Sequence, residues 1–279
     1  MDSMYPVKII TVAESRQLEN KANEGGLTFA EMMENAGRRT AQAIHRRAGS
    51  ADKHVLVLVG PGNNGGDGLV AAHYLKEMGA DVVCYIWKRS AEADSHLSRV
   101  EHDGISVIRA DNDVNQEALR GLVAATEVIV DALLGVGVTR PIEGTLQLLL
   151  DAVRQALAGR QASTDRTGAA GLFDLACPPP PSRPPLLVAV DCPTGLDCDT
   201  GALDPATLPA DITVTLAYPQ VGLLRFPGAE AVGEIVVADI AIPPRLAEDI
   251  PLEVATPHMV RDLLPSRPSS AHKGTFGRA

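Results

Sequence analysis

The sequence predicts a three-layer α/β sandwich on a mostly parallel central sheet. Three observations predict it. Short β-branched apolar runs alternate along the chain with longer segments of helical apolar spacing, the pattern of parallel strands joined by crossover helices. The first run, Val55-Leu56-Val57-Leu58-Val59, has no polar residue at alternate positions, as a strand buried on both faces requires. A glycine-rich segment, Gly60 to Gly68, follows it and leads into a helical pattern.

Two helices open the chain. Thr11-Val12-Ala13-Glu14 and Thr28-Phe29-Ala30-Glu31 are both capping boxes, in which a hydroxyl caps a backbone N–H and the Glu reaches back. Behind the second, Phe29, Met32, Met33, Ala36, Ala43 and Ile44 recur at helical spacing and read as a core face. A subunit interface is the other use of a Met-rich face. After the strand at 55–59 and the loop at 60–68, a helix is expected over Leu69–Met78 and a second strand over Asp81–Trp87. Val107-Ile108 reads as a short third strand, Gln116–Ala125 as a helix and Glu127–Leu133 as a strand. A helix over Ile142–Ala158 and strands over Leu186–Asp191, Ile212–Leu216 and Glu234–Val237 complete the pattern, which is Rossmann-like. Residues 159–185, rich in Gly, Ala, Ser and Pro, read as a flexible surface insertion ending in polyproline. A ligand for a proline-recognition domain is the alternative. A second proline-rich linker spans Leu264 to Ser270.

Composition narrows the function. The 279 residues suit one large domain, or one domain plus a fragment, and 45% hydrophobic residues supply a core. The net charge of −10 argues against a broad basic face for nucleic acid. No run approaches the ~18 apolar residues of a membrane helix, and MDSMYPVKII lacks a signal-peptide core, so the cytoplasm is expected. Cys84, Cys177, Cys192 and Cys198 form no C-x-x-C pair and read as reduced structural cysteines.

Three segments carry chemistry. Gly60, Gly62 and Gly65 satisfy G-x-G-x-x-G between strand and helix, where backbone N–H groups approach a pyrophosphate. Asn63, Asn64 and Asp67 add polar groups beyond what a phosphate cradle needs. A dinucleotide fingerprint also wants an acid at the end of the second strand; Lys88-Arg89 stands there and reads as a solvated loop, with phosphate contact as the other reading. The second segment is Asp131-Ala132-Leu133-Leu134-Gly135-Val136-Gly137-Val138-Thr139-Arg140-Pro141, and the third is Asp191-Cys192-Pro193-Thr194-Gly195. Each puts an Asp at a strand end, where open α/β sheets bind ligands. The bland reading is that each Asp caps the helix after it. His73, on the helix after the first loop, reads as packed rather than catalytic.

Together these segments resemble the NAD(P)H-hydrate epimerase family, the YjeF N-terminal domain. The likeness runs over about residues 8–245 apart from the insertion, through Val12-Ala13-Glu14, Met32-Met33-Glu34-Asn35-Ala36-Gly37, Asn63–Asp67, Asp131–Gly135 and Asp191-x-Pro-Thr-Gly. It implies repair of nicotinamide cofactors: interconversion of the (R) and (S) epimers at C6 of hydrated NADH or NADPH (NADHX, NADPHX). Carried over by position, Asn63, Asn64, Gly65, Gly66 and Asp67 would bind the hydrated nucleotide. Gly135, Val136, Gly137, Val138, Thr139, Arg140 and Pro141 would line it, Asp191 would sit at the reacting ring, and Asn64, Asp131 and Thr194 would hold K+. These side chains offer only oxygen, which suits a hard cation. Epimerisation by loss and return of the C6 hydroxyl needs an acid and then a base, and the reading assigns both roles to Asp191. Thr194 keeps the hydroxyl of the family's usual Ser; Arg140 replaces a common Lys.

The resemblance also implies a homodimer. His272-Lys273-Gly274-Thr275-Phe276-Gly277-Arg278 resembles the opening of the ATP/ADP-dependent dehydratase module of bifunctional relatives. On this reading residues 1–255 are the epimerase domain, and 256–279 are a linker and the start of that module, too short to dehydrate anything. A non-catalytic nucleotide-binding or scaffold protein on the same fold is the alternative function. A scaffold has no physical reason to keep Asn64, Asp131, Asp191 and Thr194 at strand ends. An ordinary NAD-dependent oxidoreductase is disfavoured by the basic end of the second strand.

Overall fold

Strands β1 (His54–Val59), β2 (Asp81–Ile86), β3 (Ser106–Arg109), β4 (Val128–Ala132), β5 (Leu186–Val190), β6 (Ile212–Leu216) and β7 (Glu234–Ala238) form one sheet. Their order is β3-β2-β1-β4-β5-β6-β7, and every pairing is parallel, beyond the mostly parallel sheet expected. The computed structural model describes residues 7–90, 92, 94–137, 140–166, 184–255, 257–264 and 270–272.

The apolar runs work as strands because both faces are covered. Val55, Val57 and Val59 of β1 face one core, with α2 (Phe29–Ala48), α3 (Asn63–Glu77) and α4 (Ser95–His102). Leu56 and Leu58 face the other, with α5 (Glu117–Ala125) and α6 (Thr145–Arg166). This two-sided burial makes the three layers. Helix α1 (Val12–Glu24) lies to one side, where Leu18 and Ala22 pack with Met32, Ala36, Ile240 and Ile242. Both capping boxes form, with Thr11 paired to Glu14 and Thr28 to Glu31. Among the described residues no helix is long and apolar enough to cross a membrane.

Several local expectations need correction. Phe29 is not in the core: it is 49% exposed, because the α2 face that packs inward begins at Met32. Helix α3 starts at Asn63 rather than Leu69, so the glycine-rich segment is mostly helix. Its glycines serve close packing. A Cβ at Gly68 would lie 2.4 Å from the Ala132 Cβ, and one at Gly66 would lie 2.7 Å from the Met33 sulfur. Helix α4, with Asp94 as its N-cap, was not anticipated. Helix α6 starts three residues late and runs on to Arg166, so 159–166 continue a helix rather than open the insertion. Residues 167–183, including Cys177, lie outside the described residues. A short helix, α7 (Pro257–Leu263), occupies part of the stretch read as linker; of the dehydratase-like motif only His272 is described. His73 is packed, paired with Asp103 and Glu77.

The Gly68 contact generates a test. Gly68→Ala is expected to destabilise the fold by about 1–3 kcal/mol through overpacking, read by urea unfolding.

Candidate functional site

The strand order reverses between β1 and β4, whose chains leave the sheet in opposite directions. The crevice beyond their carboxyl ends is where such sheets bind ligands. All three motif segments end there.

Asp131 is the deepest group. It sits inside β4 on the α5–α6 side, opposite Leu58 and Ala189, and has no solvent exposure. Its Oδ2 accepts the Thr194 N–H at 2.9 Å, and its Oδ1 accepts the Thr194 hydroxyl at 2.7 Å and the Leu133 N–H at 3.2 Å. The helix-cap reading of Asp131 therefore fails: it binds a loop from another strand. Burial raises its pKa, and the Thr194 and Leu133 donors pull it back only in part. The Thr194 hydroxyl also accepts the Leu134 N–H at 3.0 Å.

Asn64 joins this cluster from the first turn of α3. Its Nδ2 donates to the Leu134 carbonyl at 3.0 Å. Its Oδ1 is buried and has no hydrogen-bond partner. An orphaned buried acceptor is costly unless something positive or donating meets it. Asn64, Asp131 and Thr194 thus gather as expected, and the Leu134 carbonyl joins them.

Asp191 follows β5 with φ +65°, a left-handed conformation unusual for a side-chain-bearing residue. Its N–H donates to the Val214 carbonyl of β6 at 2.8 Å, and no helix follows it before β6, so it caps none. Gln220 Nε2 donates to its Oδ1 at 3.2 Å, and Thr215 Oγ1 holds Gln220 through its Oε1 at 3.1 Å. The other oxygen faces the glycine loop: a Cβ at Gly135 would lie 3.6 Å from Asp191 Oδ2 and 3.3 Å from the Asn64 Cβ. Burial pushes the Asp191 pKa up to about 6; the Gln220 bond opposes this and nearby Glu19 adds to it. Asp67, in the second turn of α3, is also buried. Burial first, then Asp191 and Glu19, push its pKa well up. The result is a cluster of mutually repelling acids.

Above it, the N-terminus of α3 is bare. Gly62 provides no side-chain cap and the first turn has no acid, leaving N–H groups and a positive helix end for an anion. Arg89 corrects the solvated-loop reading. Its Nη1 donates to the carbonyls of Gly60 (3.2 Å) and Gly62 (2.7 Å), its Nε pairs with Asp94 at 2.5 Å, and its side chain is 11% exposed. It fixes the loop that precedes α3. Lys88 does stay exposed.

Asn63 is exposed at the start of α3, while Gly65 and Gly66 are buried in its first turns. Gly135 and Val136 are half-buried, Gly137 lies against Arg16, and Arg140 and Pro141 are exposed; Val138 and Thr139 lie outside the described residues. Sequence reasoning missed Gln220 and Glu19, which belong to no motif and are placed only by tertiary packing. It named Arg89 but misread its role; its position at a strand end was the available signal. Cys84, Cys192 and Cys198 are free and buried; the Cys198 thiol donates to the Leu196 carbonyl at 3.8 Å, and the neighbouring Cys198 side chain together with burial pushes the Cys192 pKa well up.

Residues 29–222 match the family model described as YjeF-related protein N-terminus. The chain belongs to this family, that of the NAD(P)H-hydrate epimerases. It is 34% identical over 278 residues to a bifunctional NAD(P)H-hydrate repair enzyme, Nnr, of Thermofilum pendens, covering 98% of this chain and 47% of that one. It is 33% identical over 240 residues to an NAD(P)H-hydrate epimerase of Levilactobacillus brevis, covering 84% of this chain and 94% of that one. The chain thus spans about half the length of the bifunctional relatives. The crystal structure of yeast ynu0 (YNL200c) superposes with a TM-score of 0.68 at 24% identity over 88% of this chain and 95% of that one, a likeness of fold.

The Asp191 pKa has a consequence for stability. Its ordinary value is 3.8 and its folded value about 6, so between them the folded state keeps a proton the unfolded chain has lost. Stability therefore falls as pH rises across that window. Asp191→Asn is expected to unfold like the parent near pH 4 and to gain on it above pH 6, by up to about 3 kcal/mol, in paired urea titrations.

Proposed function

We propose that this chain epimerises NADHX and NADPHX at C6 of the hydrated nicotinamide ring. The observation that carries the reading is the buried Asp191 carboxyl, held by Gln220 through one oxygen with the other turned to the Gly135 loop. A group of pKa about 6 is populated in both protonation states near neutrality, as a single acid–base catalyst requires. Asp191 donates a proton to the departing C6 hydroxyl while the adjacent ring nitrogen supplies the electrons. The ring carbon becomes planar. Water returns to the opposite face, and Asp191 takes its proton. No hydrogen leaves carbon.

The other residues bind and position. The bare N-terminus of α3 suits the nucleotide's diphosphate. Asn63, Asn64, Gly65, Gly66 and Asp67 form its floor, and Gly135 to Pro141 its wall. Burial shifts the Asp67 carboxyl toward its neutral form, in which it is a hydrogen-bond donor without charge. The orphaned Asn64 Oδ1, the Thr194 hydroxyl and Asp131 are oxygen donors that fit K+. A bound K+ would offset the buried Asp131 charge and anchor substrate oxygens.

The test mixes the chain with both epimers of NADHX and an (S)-specific dehydratase with ATP. Absorbance recovery from the (R) fraction is expected to accelerate, to slow about 10²–10⁴-fold in Asp191→Asn, and to weaken when K+ is replaced by a bulky organic cation. Full activity in Asp191→Asn would overturn the assignment. Binding without turnover in the parent chain would leave the scaffold reading.

A further inference from the structure

The loop that faces Asp191 at Gly135 leads on to a separate cavity. About 250 Å³ in volume, it is bounded by Ala13 and Arg16 of α1, by Val136 and Gly137, and by Asp197 and Asp199 beyond Thr194. Arg16 belongs to none of the sequence motifs. It is exposed, and among the described residues it makes no hydrogen bond or ion pair. Glu19, one turn on, feels its charge but takes its hydrogen bond from the Ser15 hydroxyl at 3.2 Å. The guanidinium lies along the loop instead: a Cβ at Gly137 would stand 3.0 Å from Arg16 Nη2, so a side chain at 137 would press on it.

The two carboxylates of the cavity are held by backbone donors. Asp199 Oδ1 accepts the Val12 N–H at 2.8 Å, which ties its loop to the start of α1. Asp197 Oδ1 accepts the Thr200 and Asp199 N–H groups at 2.8 and 3.0 Å, and the Thr200 bond above all holds its pKa below the usual value. The cavity therefore combines an unpaired guanidinium with carboxylate acceptors. A wholly anionic ligand would meet the two acids, and a wholly neutral one would leave the guanidinium unused. A sugar phosphate matches both: its phosphate oxygens take the guanidinium donors, and its hydroxyls donate to carboxylate. A water molecule occupies roughly 30 Å³ in the liquid, so the space holds about eight, enough for a five-membered sugar and its phosphate.

We propose that this cavity is the subsite for the ribose and 5′-phosphate of the substrate's nicotinamide half, and that Arg16 grips the phosphate. The place of the ring, at Asp191, rests on the epimerase reading. The rest follows from spacing. Gly135 faces Asp191 Oδ2, and Gly137 faces Arg16. Two residues of chain span at most about 7 Å, the order of the separation between a nicotinamide ring and its own phosphate. Arg16 holds one phosphate of the diphosphate, and the bare end of α3 remains for the other. Its planar fork matches phosphate oxygens in a way a lysine ammonium does not. The phosphate is unchanged by the reaction, so this contact binds ground state and transition state alike and acts on KM rather than kcat.

The experiment reads binding and turnover separately. Nicotinamide mononucleotide and nicotinamide riboside differ by the phosphate alone. In calorimetry the parent chain is expected to prefer the mononucleotide by about 10- to 100-fold, the range of a charged hydrogen-bonded contact. Arg16→Ala erases that preference, and Arg16→Lys restores it in part. Ala13→Glu, at an exposed position on the same wall, weakens the mononucleotide without altering Arg16, and it decides the matter if Arg16→Ala misfolds. In the epimerase assay Arg16→Ala raises KM about 10- to 100-fold for NADHX and NADPHX alike and leaves kcat within about twofold. A parent chain with no preference, or a preference that survives Arg16→Ala, overturns the proposal. So does a fall in kcat at unchanged KM, or a KM effect confined to NADPHX, which puts Arg16 on the adenosine 2′-phosphate instead. A preference lost in Arg16→Ala, in a parent chain that epimerises neither compound, overturns the epimerase reading and leaves the sugar-phosphate subsite standing. Unchanged binding and KM in an active Arg16→Ala chain overturns the subsite and leaves the epimerase.

Discussion

The Asp131–Thr194 contact is the constraint on which the rest of the site depends. A fully buried carboxylate must find donors, because stripping its water costs several kcal/mol unless they are replaced. Asp131 finds them in a loop from the neighbouring strand, through both the backbone and the hydroxyl of Thr194. Thr194 in turn accepts from Leu134, and the Leu134 carbonyl accepts from Asn64. One chain of hydrogen bonds therefore ties β4, the β5 loop and the start of α3 into a single floor. What remains unpaired there is Asn64 Oδ1, a buried acceptor with no hydrogen-bond partner.

Around that floor the protein places groups that cost stability. Asp191, Asp67 and Glu19 approach one another from three elements, and each is raised by burial. A chain selected for stability alone would not bury two acids together with a third, half-buried one beside them. Asp191 adds a left-handed backbone at the end of a parallel strand. Strain and perturbed acids concentrated at a sheet's carboxyl edge are the marks of a functional site. The counterweight is rigidity. Arg89 locks the loop before α3 onto Asp94, and the glycines of α3 let that helix press directly on β4 and α2.

The architecture was legible because it rests on local rules. A β-branched run with no polar alternation must be buried on both faces, and a Thr-x-x-Glu box caps its own helix whatever surrounds it. The shift of the α3 start from Leu69 to Asn63 shows where such rules fail. Glycines read as loop when taken alone, yet they are helical where a packed neighbour excludes any Cβ. Likewise Phe29 carries the right spacing but sits a turn ahead of the buried face.

The sequence by itself determined the seven-stranded parallel plan in outline, the family, and the three strand ends at which Asn64, Asp131, Asp191 and Thr194 meet. It did so because strand periodicity and motif order are properties of contiguous residues. Only the tertiary structure decided what each of them touches. Gln220 reaches Asp191 from 29 positions away, and Glu19 arrives on a helix from the far N-terminus. Burial, and with it the acidity of Asp191 and Asp67, is set by the sum of these distant neighbours and is not written at any one position.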